Sequence, residues 1–268
     1  MAHPEVIKTL TAALVDQSAI RALFLSGSYG NGMADAHSDI DFLLVATDGA
    51  TDEVAGLWRQ ALDQTGEVVL WWDRTTRPAL INAITADWVR TDVVILKPDQ
   101  IGHLTQDSLK PLFDPDGLYD TLPPTAAPQM LTPARALYQF EEFIRILGLL
   151  PLAAGREEYL NGVLGIFHLR NLLVGLLVEE TGAPNRGGAL HLNRLITAEQ
   201  KDLLVALPPP EPTREAMIEG HMAYAAAYLP RARRMAARLG VAWPERFEDV
   251  TWTRLQQTLG LDRPYEPE

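Results

Sequence analysis

Two aspartates stand two residues apart at the head of an apolar run, Ser38-Asp39-Ile40-Asp41-Phe42-Leu43-Leu44-Val45, and a Gly27-Ser28 pair precedes them. In an extended segment the side chains at i and i+2 leave the same face. Asp39 and Asp41 therefore project together, and Ile40 turns the other way, into the core. Carboxylates that close repel one another unless a cation lies between them, and hard divalent ions, Mg²⁺ above all, take such oxygen ligands. Glycine at 27 lets the backbone turn tightly and approach a ligand, and Ser28 adds a hydroxyl. Successive amide N–H groups at that turn suit a phosphate, the more so if a short helix opens near Tyr29. A metal site beside a phosphate cradle is what nucleotide chemistry requires. Asp-x-Asp pairs and Gly-Ser pairs are each common in proteins that bind nothing there. The sequence strand, Gly-Ser, Ser-Asp-Ile-Asp, strand is far more specific than either part.

The elements that must position these groups follow from hydrophobic periodicity. Helical spacing predicts a helix over 4–16 and another over 51–66, with Thr51 or Asp52 as N-cap and Gly66 as stop. Short apolar or β-branched runs predict strands at 22–26, 40–46, 67–73 and 87–98. The proline-rich text at 111–128 reads as a boundary. Beyond it every strong pattern is helical. Thr132 before Pro133 marks one N-terminus, Thr197 and Gln200 form a capping box at another, and Gly182 ends a long apolar helix. Pro230 is a candidate kink. The expected class is α+β: strands and helices mixed over 1–125, then an all-α half over 126–268.

Composition narrows the chemistry. The 268 residues are 47% apolar and 22% charged, as in a folded protein, with a formal charge of −12 at pH 7. An acidic surface repels nucleic-acid backbones and suits a cationic small substrate. There is no cysteine, which excludes disulfides, thiolate nucleophiles and Cys-ligated zinc. The N-terminus lacks the pattern of a signal peptide. The apolar run 163–178 is broken by His168, Arg170 and Asn171 and is too short to span a bilayer. A soluble, cytoplasmic protein with no membrane or nucleic-acid partner is expected.

Gly27-Ser28, Gly30, Gly32 and then Ser38-Asp39-Ile40-Asp41-Phe42 resemble the signature of the DNA polymerase β-like nucleotidyltransferase superfamily. The chain length and helical second half resemble its antibiotic-modifying branch, the aminoglycoside and lincosamide nucleotidyltransferases. The resemblance implies that 1–125 form a nucleotidyltransferase domain of mixed sheet with flanking helices and 126–268 a helical bundle. It also implies Mg²⁺, as two ions held by Asp39, Asp41 and a third carboxylate on a later strand. Asp92 in Trp-Val-Arg-Thr-Asp-Val-Val-Ile-Leu matches best, because a charge inside such a run is costly unless paired or coordinated. Glu67 and Asp73 are the alternatives. Asp92 would ligate metal, act as general base, or both. Gly27 and Ser28, with Ser38 assisting, would hold the phosphates of ATP or another NTP. Arg186 or Arg194 would place a cation on the triphosphate.

The implied reaction is transfer of AMP from ATP to a hydroxyl of a small, cationic, antibiotic-like molecule, with release of pyrophosphate. Trp71 and Trp72 face opposite sides of one strand, so one belongs to the core and Trp72 is the candidate to stack on a ring. Glu141 and Glu142 on the helical half are candidates to bind a cationic substrate. Gly155-Arg156-Glu157 matches a family Arg-Gly-Glu turn imperfectly. His168, in an apolar helix, is expected to be a satisfied core histidine. The Arg186 to His191 spacing also fits a helical-ribonuclease pattern, though two glycines between them are a poor helical context. Two other readings remain: an adenylyltransferase of a toxin–antitoxin pair that modifies a protein, and a non-catalytic nucleotide-binding module. The oligomeric state, including a homodimer, is open.

Overall fold

The computed structural model describes residues 2–74, 79–125, 131–183 and 191–266. Chain contacts divide it into two compact units, Met1–Ala127 and Pro128–Glu268. The class is α+β, a mixed sheet with flanking helices followed by helices alone.

In the first unit, strands β1 (Ile20–Leu25), β2 (Ile40–Ala46), β3 (Val68–Arg74), β4 (Ala79–Thr85), β5 (Arg90–Leu96) and β6 (Lys110–Phe113) form one sheet in the order β3-β4-β5-β2-β1-β6. Only β2 and β5 run parallel; the other neighbours are antiparallel. Side-chain alternation gives the sheet two different faces. On one, Leu23, Phe42, Leu44, Ile81 and Val93 pack against helices α1 (His3–Leu14) and α3 (Thr51–Asp63) through Val6, Leu10, Val54 and Trp58. Trp58 meets Phe42 edge to face, with centroids 4.9 Å apart. On the other, Ala22, Phe24, Leu43, Val45 and Leu96 are covered by Ile101, Leu109 and Leu122. Burying each large apolar side chain contributes about 1.5–3 kcal/mol, so both covers hold firmly. The second cover stops short of the strand starts, where Asp41 and Asp92 are only half-buried.

Two strands lie outside the sequence expectation. β4 reads Ala-Leu-Ile-Asn-Ala-Ile-Thr, and Asn82 breaks its apolar run with a residue that strands disfavour. β6 contains Pro111, which a sheet edge tolerates because no ladder partner is needed for the missing N–H. Part of the proline-rich boundary text is thus sheet and sheet cover. The strand expected over 87–98 is confined to Arg90–Leu96, with Trp88 in the left-handed region at φ 60°.

The second unit comprises α4 (Pro133–Gly148), α5 (Leu150–Gly155), α6 (Tyr159–Thr181), α7 (Leu192–Leu195), α8 (Ala198–Ala206), α9 (Arg214–Leu239) and α10 (Glu245–Leu259), preceded in the first unit by the one-turn helix α2 (Gly27–Gly30). Thr132 caps α4 by accepting the Arg135 N–H, and Thr197 and Gln200 cap α8 reciprocally. Pro230 lies inside α9, which continues to Leu239. The core is built from Phe140, Phe143, Leu169, Leu173, Tyr224 and Tyr228, with Phe143 and Tyr228 stacked at 4.0 Å and 2°. By length and hydropathy α6 is able to cross a membrane. In the bundle it buries Leu169, Leu173, Leu176 and Leu177, and its Arg170 donates to the Tyr224 hydroxyl at 2.8 Å.

One buried acid organises the end of this unit. Glu248 is fully buried and accepts from Arg233 at 2.6 Å, from the Trp243 indole at 2.6 Å and from the Tyr265 hydroxyl. The Arg233 guanidinium also lies 5.0 Å over the Trp243 ring. Every charge here has a partner of opposite sign or a donor.

Candidate active site: three carboxylates beside a glycine turn

Antiparallel pairing of β1 with β2 puts Leu25 opposite Phe42, so the end of β1 lies at the start of β2. The Ser26 N–H closes this corner by donating to the Asp41 carbonyl at 2.9 Å. The parallel pairing of β2 with β5 sets Asp41 directly opposite Asp92, and directly opposed residues share a face. Asp39, Asp41 and Asp92 each bring a carboxylate oxygen within 4.8 Å of the others.

The charges are poorly compensated. Arg90 approaches Asp39, with Nη2 to Oδ2 at 3.5 Å. Burial, reinforced by the charges of Asp39 and Asp92, raises the Asp41 pKa to about 6, and Arg90 opposes the shift only in part. Three hard oxygen donors that repel each other in a half-buried site form the donor set a divalent cation takes.

The turn beside them is built for close approach. Gly27 has φ +54°, and a Cβ there would lie 1.9 Å from Asp41 Oδ2. A side chain at 27 is therefore both strained and in collision with the carboxylate. A Cβ at Gly30 would meet the Ser108 carbonyl at 2.3 Å. α2 begins at Gly27, slightly earlier than expected, and its first-turn N–H groups lack intrahelical acceptors. Ser28 is 8% exposed, and its Oγ is buried without a partner among the described residues. An orphaned hydroxyl, a turn that excludes any side chain and a repelling acidic trio all fit a metal-bound phosphate group.

The other expected residues are placed as follows. The Ser38 hydroxyl is engaged in a local turn, accepting the Asp35 N–H at 2.9 Å and lying 3.3 Å from the Asp35 carboxylate. Asp73 pairs with Ile81, which sets it on the face opposite Asp92. Glu67 precedes β3, and its carbonyl accepts from Ala86; neither it nor Asp73 belongs to the trio. Trp71 turns to the helix-covered face under Arg59, whose guanidinium is 5.0 Å from the ring. Trp72 is 55% exposed on the carboxylate face, in one cross-strand row with Asn82, Asp92 and Asp41. Sequence reasoning missed Asn82; its signal was an amide side chain inside an apolar run.

In the helical unit, Glu142 is gripped by Arg145 through two bonds of 2.6 and 2.8 Å and by His168 Nε2 at 3.1 Å. The Arg145 bond, before the smaller effect of His168, holds its carboxyl below the usual glutamate range. Glu141 is exposed. His168 is not a core residue: its side chain is 45% exposed and paired with Glu142. The core histidine is His221, 3% exposed, with Nδ1 2.7 Å from the Met217 carbonyl. Arg156, Glu158, His168 and His221 line a cleft of about 340 Å³. Arg186 lies outside the described residues, and with it the Arg186 to His191 pattern; Arg194 lies in α7.

No protein-family description and no curated protein matches the sequence. Among solved structures, the chain is similar to an aminoglycoside 6-adenyltransferase from Bacillus subtilis, at 13% identity and TM-score 0.43, covering 93% of this chain and 95% of that one. It is similar to a nucleotidyltransferase-like protein from Exiguobacterium sibiricum 255-15, at 12% identity and TM-score 0.37, with coverages of 96% and 88%. A third likeness is to terminal uridylyl transferase 4 from Trypanosoma brucei with bound CTP, at 15% identity and TM-score 0.27, with coverages of 84% and 63%. All three bear nucleotidyltransferase names, and all three overlays are loose.

Proposed function

We propose that the protein is a nucleotidyltransferase that moves AMP from ATP to a hydroxyl of a small, cationic molecule such as an aminoglycoside or lincosamide. The observation that carries this reading is the meeting of Asp39, Asp41 and Asp92 within 4.8 Å beside a turn where Gly27 admits no side chain. Asp39, Asp41 and Asp92 would hold Mg²⁺, as one or two ions, which when bound offsets charge developing on the phosphates. The Gly27 and Ser28 amides and the Ser28 hydroxyl bind and orient the β- and γ-phosphates. Asp92 accepts the proton of the acceptor hydroxyl. The hydroxyl oxygen bonds to the α-phosphorus as the bond from that phosphorus to the bridging oxygen breaks, and pyrophosphate leaves in line. Orientation of the two reactants supplies much of such an acceleration.

The net charge of −12 supports a cationic acceptor and disfavours a nucleic-acid one. A free NTP pool and millimolar Mg²⁺ fit a cytoplasmic enzyme. The test is incubation with labelled ATP, Mg²⁺ and a panel of aminoglycosides and lincosamides. Acceptor-dependent pyrophosphate release, with label on one panel member, is the expected result. ATP and Mn²⁺ binding with no labelled member would remove the antibiotic acceptor and leave the transferase. Absence of both ATP and Mn²⁺ binding would remove the transferase reading.

A further inference from the structure

Trp72, Asn82, Asp92 and Asp41 stand opposite one another on four adjacent strands, β3, β4, β5 and β2, so all four point to one face in a single row. Neighbouring strands are about 4.8 Å apart, which places Asn82 one spacing and Trp72 two spacings beyond Asp92. The phosphate turn, Gly27-Ser28, follows β1, on the other side of the β2–β5 pair. An in-line displacement puts the attacking oxygen and the leaving pyrophosphate on opposite sides of the α-phosphorus. With pyrophosphate toward β1, the acceptor comes in over β5, β4 and β3.

Two observations on that side call for a ligand. The Asn82 side-chain carbonyl oxygen is buried and has no donor among the described residues, a state that proteins rarely leave uncompensated. Trp72 presents an indole that is 55% exposed, with the Arg74 guanidinium 5.8 Å from its ring. A large exposed aromatic beside an unsatisfied acceptor is the pairing that binds a saturated ring bearing polar groups.

We propose that Trp72 and Asn82 form the acceptor strip of the site, stacking a hydroxylated ring on the indole and receiving a second hydroxyl or ammonium donor on the Asn82 carbonyl. The inference rests on the transferase reading above. The strip selects an acceptor whose second donor sits about one strand spacing, ~5 Å, from the reacting oxygen. A lone alcohol fills Asp92 but leaves Asn82 unsatisfied, so a ring with at least two donors is the substrate class. Both residues bind and position; neither acts on the transferred group.

The experiment uses the full chain with Mg²⁺ and the non-cleavable ATP analogue in which methylene replaces the α,β-bridging oxygen. The probes are 2-deoxystreptamine, a ring with several donors, and cyclohexanol, a ring with one. Saturation-transfer NMR is expected to show 2-deoxystreptamine bound and cyclohexanol at least tenfold weaker. Asn82→Ala should weaken 2-deoxystreptamine about tenfold and abolish the preference over cyclohexanol. Trp72→Ala should lose the ring signal, and Trp72→Phe should restore most of it. Mn²⁺ and analogue affinities, read by water-proton relaxation and calorimetry, should match wild type in all three variants. The proposal is overturned if wild type binds Mn²⁺ and the analogue but shows no 2-deoxystreptamine signal, or if the variants hold that probe as wild type does. It is equally overturned if they lose the analogue instead, which would put the strip on the nucleotide side. Loss of Mn²⁺ and analogue binding already in wild type would instead mark failure of the transferase reading.

Discussion

Two acidic sites, one buried in the helical unit and one half-buried in the sheet unit, treat charge in opposite ways. Glu248 in the helical unit is fully enclosed and receives Arg233, the Trp243 indole and the Tyr265 hydroxyl. Asp41 in the sheet unit faces two more carboxylates and only a distant share of Arg90, and its pKa is pushed up to about 6. Folding alone explains the first arrangement: a buried charge is tolerable when its lone pairs are filled. Folding alone does not favour the second, because it stores repulsion that apolar residues would avoid. The difference is the one expected between a structural acid and one kept for a ligand, and it lies in partners rather than in residue type.

The largest expected effect is on turnover. Asp39→Ala or Asp92→Asn should lower the rate of acceptor-dependent pyrophosphate release by at least about 10³-fold, as removal of essential electrostatic groups does elsewhere, while far-UV circular dichroism stays unchanged. Wild-type turnover in either variant would erase the contrast with Glu248. Glu248→Ala should do the reverse. It takes the buried carboxylate from Arg233 and leaves that guanidinium only the exposed Glu245 at 3.1 Å, so it is expected to destabilise by about 3 kcal/mol, measured by urea unfolding of the helical transition. Gly27→Ala combines both kinds of damage. Its Cβ displaces the Asp41 carboxylate, so Mn²⁺ affinity should fall more than tenfold, with a backbone penalty of about 1 kcal/mol; unchanged Mn²⁺ affinity would mean that the turn does not shape the site.

The smallest effect concerns pH. Burial holds the His221 imidazole below the usual histidine range. The unfolded chain takes up a proton near pH 6.5 while the folded one resists it, so stability is complete above that pH and declines as pH falls below it. Melting temperatures at pH 7 and pH 5 should differ less in His221→Phe than in wild type. An equal difference in both would remove His221 from the acid sensitivity of the bundle.

Much of the site was legible because its parts are local. The Gly27-Ser28 turn and the Asp39-x-Asp41 pair are neighbours in sequence, and alternation alone sets both acids on one face. Asp92 was legible as a charge in an apolar strand, although its pairing with Asp41 is a matter of sheet register. Asn82 was not legible, because its meaning comes from a strand that its own presence disguised. β6 was hidden by Pro111, which only an edge position permits. Glu142 and His168 show the opposite limit: periodicity placed both on helices, but their mutual pairing at 3.1 Å joins α4 to α6 and has no trace in local sequence.

The most direct test of the central claim is Mn²⁺ titration followed by water-proton relaxation, on wild type, Asp41→Asn and Glu248→Gln. Wild type and Glu248→Gln are expected to bind Mn²⁺ with equal affinity, strengthened by ATP, and Asp41→Asn at least tenfold more weakly. Equal binding by wild type and Asp41→Asn, or no binding by wild type, would contradict the assignment of the poorly compensated acidic trio as a site kept for a ligand.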